Sequence, residues 1–236
     1  MILSKNKTLV LGIITTLHQS GHKAYITGGA VRDMLLNQQP EDVDILTDAS
    51  ARTVAALFAK TRQVGKSFPV CLVNGVEVAS CRAGRAGDFP GDDLGMRDFT
   101  INSMAWDPVS ETLVDPFGGK GDLANKIIRF TRDPGERILE DPLRMIRACR
   151  FAAHISGTLA PSSLKAVLTH APLIDLAHGN VARERIQMEL IKAMALEKPS
   201  QFFVSLHETG ILARILPCLD RCFGLDGGPH HGETVF

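Results

Sequence analysis

The spacing of apolar residues changes near residue 122, and this change constrains the fold more than any other feature of the chain. Before it, short helix-like and strand-like segments alternate, which is typical of a mixed α/β arrangement. After it, long amphipathic segments follow one another with few strand signals, which indicates a helical domain. We therefore expect an α+β chain, with a mixed sheet and flanking helices over residues 1–124 and an all-helical part over residues 125–236.

The predicted elements of the first part are short, and those of the second part are longer. The first part has predicted helices at 7–19, 30–37 and 50–62, and predicted strands at 24–27, 43–47, 69–73 and 76–81. In the second part, the helical pattern covers 136–154, 161–170, 180–196 and 199–209.

The overall charge argues against a protein that coats polyanions without selectivity. The 26 Lys and Arg balance the 26 Asp and Glu, so a nucleic-acid site must be local, and basic side chains do concentrate in residues 126–150. No stretch approaches the length of a membrane-spanning helix. The five cysteines form no CxxC pair, so we expect a soluble protein of the reducing cytoplasm with no membrane partner.

Asp42 and Asp44 lie two residues apart in a predicted strand. Side chains at that spacing point to the same face, so the two carboxylates should converge while Val43 and Ile45 face a core. Two converging carboxylates repel each other, and a bound Mg²⁺ ion would offset that repulsion. Mg²⁺ prefers one or two carboxylates together with substrate phosphates. The alternative for a DxD pair alone is an ordinary surface strand.

A Gly-Gly turn strengthens the metal interpretation. Gly28 and Gly29 follow a predicted strand and open a helix, so backbone N–H groups could meet a phosphate there without obstruction by a Cβ atom. Arg32, at the start of that helix, could add a guanidinium fork to a triphosphate.

Five motifs occur in order along the chain. They are Gly28-Gly29-Ala30-Val31-Arg32-Asp33, Asp42-Val43-Asp44, Arg97-Asp98-Phe99-Thr100-Ile101-Asn102, Asp115-Pro116-Phe117-Gly118-Gly119 and Glu140-Asp141-Pro142-Leu143-Arg144. Together they resemble the motifs of class II tRNA nucleotidyltransferases and bacterial poly(A) polymerases. The resemblance implies a nucleotidyltransferase head of the DNA polymerase β superfamily joined to a helical neck, and the addition of CCA, or part of it, to the 3′ end of tRNA without a nucleic-acid template.

The chemistry of that reaction suits the acidic pair. Two Mg²⁺ ions on Asp42 and Asp44 could lower the pKa of the 3′-hydroxyl and neutralise the departing pyrophosphate. Phosphoryl transfer asks the protein mainly for positioning and charge neutralisation. Glu77 could supply a third carboxylate, although a structural or solvent-facing role is the alternative.

The resemblance also implies that Arg97 contacts the nucleotide and that Asn102 holds its sugar or phosphate side. The alternative is a capping arrangement in which Asp98 accepts backbone N–H groups. The Asp115 motif is more typical of a structural turn than of a ligand site.

Asp141 and Arg144 are spaced to share one helical face. Cytosine and adenine both present an amino donor beside a ring-nitrogen acceptor, so a carboxylate and a guanidinium could select them over uracil and guanine. The alternative for Asp141 is a helix N-cap. By resemblance, Arg147 contacts the nucleotide phosphate or base. We expect Arg150 to form a neck salt bridge or an RNA-phosphate contact without a catalytic role, and Glu140 to orient an arginine.

The segment between Arg82 and Arg97 is short. CCA-adding relatives have a longer, flexible loop there that is associated with the change from CTP to ATP, and a shortened loop is associated with members that add only CC. We therefore favour a CC-adding enzyme that uses CTP and leaves the final A to a separate partner enzyme. Full CCA addition with ATP, A addition and poly(A) synthesis remain as alternatives, and so does a noncatalytic RNA-binding remnant. Residues 217–236 resemble the lead-in to an HD-type phosphohydrolase region.

Overall fold

The computed structural model describes residues 7–64, 70–81, 88–174 and 181–225. The chain divides into two compact units between Leu123 and Ala124. A mixed sheet with flanking helices builds the first unit and helices dominate the second, which confirms the expected fold class. None of the helices in the described ranges is long and apolar enough to cross a membrane.

The first unit contains seven strands and five helices within its described residues. The strands are β1 (Ala24–Thr27), β2 (Asp44–Thr47), β3 (Thr61–Val64), β4 (Val70–Val73), β5 (Val76–Ser80), β6 (Ala105–Asp107) and β7 (Thr112–Val114). The helices are α1 (Lys7–Gln19), α2 (Gly29–Leu35), α3 (Ala51–Leu57), α4 (Gly91–Leu94) and α5 (Gly119–Ala124), with a 3-10 turn at Thr100–Asn102.

The seven strands form one sheet in the order β3-β4-β5-β2-β1-β6-β7. The β2–β5 pair is parallel, with Ile45 opposite Val78, and the other pairs are antiparallel. Helix α1 buries Val10, Ile13, Ile14 and Leu17 at helical spacing, so it contributes a continuous apolar stripe to the core.

The predicted helix at 50–62 is wrong in its second half. Ser50 caps α3 by accepting a hydrogen bond from the Thr53 N–H (3.1 Å), but the helix ends at Leu57. Phe58 is extended, and Thr61–Val64 pairs with β4 instead. The antiparallel hairpin satisfies the backbone groups that a longer helix would have used.

The second unit is mainly helical in its described part. Its helices are α6 (Pro134–Glu140), α7 (Leu143–His154), α8 (Pro161–His170), α9 (Arg183–Met194), α10 (Pro199–Glu208), α11 (Leu212–Ile215) and α12 (Pro217–Asp220). A 3-10 turn follows α8 at Ala171–Leu173, and two short parallel strands, β8 (Ile127–Ile128) and β9 (Thr158–Leu159), complete the unit.

The predicted helix at 136–154 is two helices. Asp141 adopts an extended conformation (φ −156°, ψ 97°) between α6 and α7. Pro142 causes the break, because its ring disfavours helical geometry at the preceding residue and it has no N–H to donate. The break frees Asp141 from both helices at the position where base selection is expected.

The Asp115 motif forms a structural turn. The Asp115 carboxylate accepts the backbone N–H groups of Gly119 (2.7 Å) and Lys120 (2.9 Å), and so caps the start of α5. Gly119 packs so closely that a Cβ atom built on it would lie 2.1 Å from the Thr100 carbonyl oxygen.

We predict that Gly119→Ala destabilises the first unit by about 2 kcal/mol or more, since a backbone carbonyl cannot yield to a methyl group cheaply. Gly12→Ala is the matched control, because Gly12 is exposed in α1 and nothing lies within 4 Å of the added atom. It should stabilise α1 by about 0.5–1 kcal/mol. Urea unfolding followed by the fluorescence of the single tryptophan, Trp106 of β6, would measure both. Equal midpoints for the two variants would contradict the close packing at Gly119.

Candidate functional site

The predicted acidic pair lines a polar cleft of about 370 Å³ in the first unit. Asp42 precedes β2 and is exposed, whereas Asp44 begins the strand and is half-buried. Glu77 of β5 lines the same cleft. Val43 was expected to face the core, but it is only partly buried and also lines the cleft. It lies outside the strand, because β2 begins at Asp44.

The parallel pairing of β2 and β5 brings Asp44 and Glu77 together. Ile45 lies opposite Val78, so the residues one step earlier in each strand are also neighbours, and aligned side chains in a parallel pair point to the same face. Burial raises the pKa of Asp44, and the nearby charges of Glu77 and Asp42 raise it further, while Arg97 acts in the opposite direction. Burial and the two neighbouring carboxylates together therefore outweigh Arg97 and disfavour the charged form of Asp44.

Arg97 lies beside both the acidic cleft and the Gly-Gly turn. Its effect on the pKa of Asp44 places it near that carboxylate. Its guanidinium also packs against Gly28, where a Cβ atom would lie 2.7 Å from Nη1. Gly28 has φ 72° and ψ −135°, a conformation that other residues rarely adopt, so glycine serves both the turn and the approach of the arginine.

The Arg32 guanidinium lies beside the Gly-Gly turn and also bonds two side chains of the first unit. Its Nε and Nη2 donate to Asp33 Oδ1 (2.9 and 2.7 Å), and Nη1 donates to Asn102 Oδ1 (2.9 Å). Asn102 in turn donates from Nδ2 to Asp98 Oδ1 (3.2 Å), which also accepts the Phe99 N–H (2.9 Å). The capping alternative for Asp98 is thus present, and Arg32 fixes the orientation of a nearly buried asparagine.

Glu140 and Arg144 form a network in the second unit. Glu140 Oε2 accepts from Arg144 Nη1 (2.7 Å) and Arg137 Nη1 (2.6 Å), which confirms that Glu140 orients an arginine. The hydrogen bond from Arg144 and the two positive charges hold the pKa of Glu140 below its usual value, although burial opposes them. Arg144 Nη1 also donates to the Arg137 carbonyl oxygen (2.6 Å), so its described contacts all use this one nitrogen.

Asp141 is held by an arginine that the sequence analysis missed. Arg185 of α9 donates from Nη1 to Oδ1 (3.1 Å) and from Nη2 to Oδ2 (2.7 Å). The Leu143 N–H also reaches Oδ1 (3.3 Å), so part of the N-cap alternative is realised.

Arg147 and Arg150 turn toward a second residue of α9 that the sequence analysis missed. Arg150 Nε lies 2.5 Å from Glu189 Oε2, and Arg147 Nη1 lies 3.5 Å from Oε1. Arg150 therefore forms the expected salt bridge, and its guanidinium also stacks on the Phe151 ring (4.2 Å to the centroid). Arg147 follows Arg144 by three residues, and one of its partners is Glu189 on α9.

Several sequence predictions fall outside the described residues. Arg82 and residues 83–87 of the short segment are among them, as are residues 226–236 of the predicted HD-type lead-in. Over the described chain, no three His, Cys, Asp or Glu side chains are grouped so that they alone could hold a metal ion.

Two family models match the chain. The poly A polymerase head domain matches residues 24–129, and the model described as the probable RNA and SrmB-binding site of polymerase A matches residues 158–223.

Curated relatives carry consistent names. The CC-adding tRNA nucleotidyltransferase of Halalkalibacterium halodurans is 38% identical over 205 residues, which cover 85% of this chain and 52% of that protein. The CCA-adding enzyme of a Geobacillus species is 41% identical over 217 residues, with 85% and 52% covered. The chain thus spans about half the length of these relatives.

Among solved structures, the CCA-adding enzyme of Bacillus stearothermophilus in complex with CTP superposes with a TM-score of 0.83 at 36% identity. The superposition covers 94% of this chain and 57% of that one. A tRNA-processing enzyme with CTP superposes with a TM-score of 0.74 at 29% identity, over 86% of this chain and 57% of that one.

We predict that Asp44→Asn stabilises the first unit at pH 7 in buffer free of divalent cations. The folded chain holds the Asp44 proton more tightly than the unfolded chain does, so the contribution of this group to stability falls as pH rises through its raised pKa. The gain of the variant over the unsubstituted protein should therefore shrink as pH falls and vanish below the ordinary value of 3.8.

Urea unfolding at pH 7 and pH 3.5, followed by Trp106 fluorescence, would test this prediction. Glu197→Gln is the control, because Glu197 is exposed and has no ion pair among the described residues. A variant that is less stable than the unsubstituted protein at pH 7 would show that the cleft favours the ionised carboxylate.

Proposed function

Since the chain belongs to the family of class II tRNA nucleotidyltransferases and bacterial poly(A) polymerases, we propose that it adds CMP from CTP to the 3′ end of tRNA. In this reaction the terminal 3′-hydroxyl oxygen bonds to the α-phosphorus of CTP and loses its proton, the bond to the β-phosphate oxygen breaks, and CMP is joined to the tRNA as pyrophosphate leaves. The observation that carries the proposal is the crowding of Asp44 by Glu77 and Asp42 in a polar cleft beside Arg97.

The acidic cleft fits Mg²⁺. Asp42 and Asp44 are the proposed ligands, with Glu77 as a third carboxylate at the same cleft. Among the residues that the structure describes, no three such side chains form a complete site, so the phosphates of the nucleotide would supply the remaining oxygens, which is the coordination that Mg²⁺ prefers. Bound there, two Mg²⁺ ions would activate the 3′-hydroxyl and neutralise the departing pyrophosphate.

The Gly-Gly turn and Arg97 are the proposed triphosphate contacts. The absence of a side chain at Gly28 lets the Arg97 guanidinium approach the turn, and Arg97 brings a positive charge to the acidic cleft. Arg32 acts through Asn102: it holds the amide in place so that Asn102 can meet the sugar side of the nucleotide.

In the second unit, Asp141 and Arg144 are proposed to select the base. The described contacts of Arg144 use Nη1, which leaves Nη2 and Nε to donate to a ring nitrogen. Asp141 keeps acceptor capacity on Oδ2 for the exocyclic amino group. Uracil and guanine reverse this donor and acceptor order, so they would leave both side chains unmatched. Arg147 is proposed to contact the phosphate or the base.

We predict that Asp42→Ala and Asp44→Ala each abolish Mg²⁺-dependent incorporation of CMP into a tRNA that lacks its 3′ CCA. Loss of a metal ligand removes several kcal/mol of charge stabilisation, so the rate should fall about a thousandfold or more. Glu197→Gln should retain the rate of the unsubstituted chain, and EDTA should remove activity from both. A rate in either alanine variant that is close to the rate of the unsubstituted chain would refute the metal assignment.

The number of nucleotides added is a separate proposal, based on the short segment at 83–96. We propose addition of CC, with the final A left to a separate A-adding partner enzyme. The relatives carry both names, so the comparison does not decide between CC and CCA addition.

We predict that the chain extends tRNAs ending before CCA and after the first C when CTP is supplied, and does not extend a tRNA ending in CC when ATP is supplied. Gel analysis of all three tRNAs with each nucleotide separately would measure this. Addition of one A to the CC end would establish full CCA addition, and a long run of A would establish poly(A) synthesis.

A further inference from the structure

The hairpin between β4 and β5 turns at an Asn-Gly pair to which the proposed function gives no role. Val73 lies opposite Val76, so Asn74 and Gly75 form a two-residue loop. Their φ angles of 50° and 88° are both positive, as a type I′ turn requires. Both residues are exposed, and Gly75 lines the acidic cleft together with Glu77. A chemical change at this turn would therefore act at the edge of the cleft.

An asparagine that is followed by glycine can lose its side-chain amide without an enzyme. The backbone nitrogen of the glycine attacks the side-chain carbonyl carbon of the asparagine, and no Cβ atom on the glycine obstructs the attack. A new N–C bond closes a five-membered imide, and the proton of the attacking nitrogen leaves with the amide nitrogen as ammonia. Water then opens the ring at either carbonyl, which gives aspartate or isoaspartate. One water is consumed, one ammonia is released, and no electrons are transferred.

The fold leaves the attacking nitrogen of Gly75 available. In a two-residue loop the ladder hydrogen bonds belong to the flanking pair, here Val73 and Val76, and within the described residues nothing accepts the Gly75 N–H. A Cβ atom built on Gly75 would have nothing within 4 Å, so the ring has room to close. The Asn74 N–H, in contrast, donates to the Lys60 carbonyl oxygen (3.3 Å), which anchors the turn on the other side of Asn74.

Asn37 shows what protects an asparagine in the same backbone conformation. It is exposed and has a φ of 57°, close to that of Asn74. The nitrogen that would attack its side chain belongs to Gln38, and that N–H donates to the Asp33 carbonyl oxygen (2.8 Å). Gln38 also has a Cβ atom, which hinders ring closure. The two asparagines thus share exposure and the sign of φ, and they differ in the availability of the attacking nitrogen.

We propose that Asn74 is a site of spontaneous deamidation, which places an additional carboxylate at the rim of the acidic cleft. Asp-Gly suits a type I′ turn as Asn-Gly does, so the aspartate product keeps the hairpin. Because Gly75 lines the cleft, the new charge lies within the Debye length of about 10 Å at 0.1 M salt. The cleft should then bind a divalent cation more tightly, and this consequence rests on the proposed function.

The modification is tested by incubating the folded chain in mildly alkaline buffer and following each asparagine by mass spectrometry of proteolytic peptides. Residue 74 should gain the mass difference between a hydroxyl and an amino group, while Asn37 stays unchanged. The rate should rise with pH, because the attacking nitrogen must lose its proton. Asn74→Gly is the matched control, since Gly-Gly also fits a type I′ turn and carries no amide to lose. Deamidation of Asn74 that is no faster than that of Asn37 would overturn the proposal.

The effect of the new charge is tested with Asn74→Asp, titrated with MnCl₂ in the absence of nucleotide. Mn²⁺ should bind about threefold more tightly than to the unsubstituted chain at low salt, and the difference should disappear at 1 M NaCl, where the Debye length is about 3 Å. Gln187→Glu is the control, because it adds the same charge at an exposed position of the second unit. It should leave the affinity unchanged.

Equal Mn²⁺ affinities of Asn74→Asp and the unsubstituted chain at low salt would refute the effect on the cleft. If neither chain binds Mn²⁺, the metal assignment of the proposed function fails together with this effect. The mass change at residue 74 does not depend on a bound metal, so it still decides whether Asn74 is modified.

Discussion

The acidic cleft of the first unit depends on one unfavourable contact, the crowding of Asp44 by Glu77 and Asp42. Parallel pairing of β2 with β5 enforces it, because the register that aligns Ile45 with Val78 also aligns the two carboxylates. Burial makes the charged form of Asp44 still less favourable, as the direction of its pKa shift shows. The fold accepts this repulsion at a position where a divalent cation would remove it.

In the second unit, by contrast, several charged side chains are paired with opposite charges. Asp141 and Arg150 each meet a partner on α9, and Glu140 lies between two guanidinium groups. Compensation of this kind keeps side chains in fixed directions without requiring a ligand to stabilise them. Hydrogen bonds to the edge of a base depend on direction. Side chains that are already oriented by ion pairs are therefore better suited to base recognition than side chains that a ligand must first orient.

Local sequence signals predicted the elements that depend on local physics. The apolar stripe of α1 and the Gly-Gly turn after β1 follow from the spacing of a few residues, and both are present. The break between α6 and α7 also has a local signal in Pro142, but the amphipathic pattern runs through it and hides it. In contrast, the pairing of Asp141 with Arg185 joins residues 44 positions apart, and no periodicity reveals such a contact.

The same distinction applies to Glu77. A glutamate between two valines in a short strand is typical of a solvent-facing position, and Glu77 is indeed exposed. Its proximity to Asp44 comes from the neighbouring strand, since the parallel register with β2 brings its charge to that carboxylate. For Arg32 the motif suggested contact with phosphate, and the structure adds hydrogen bonds to Asp33 and Asn102 that the motif did not indicate. In both cases the residue type indicated the chemistry, while the tertiary neighbour determined which group the side chain acts on.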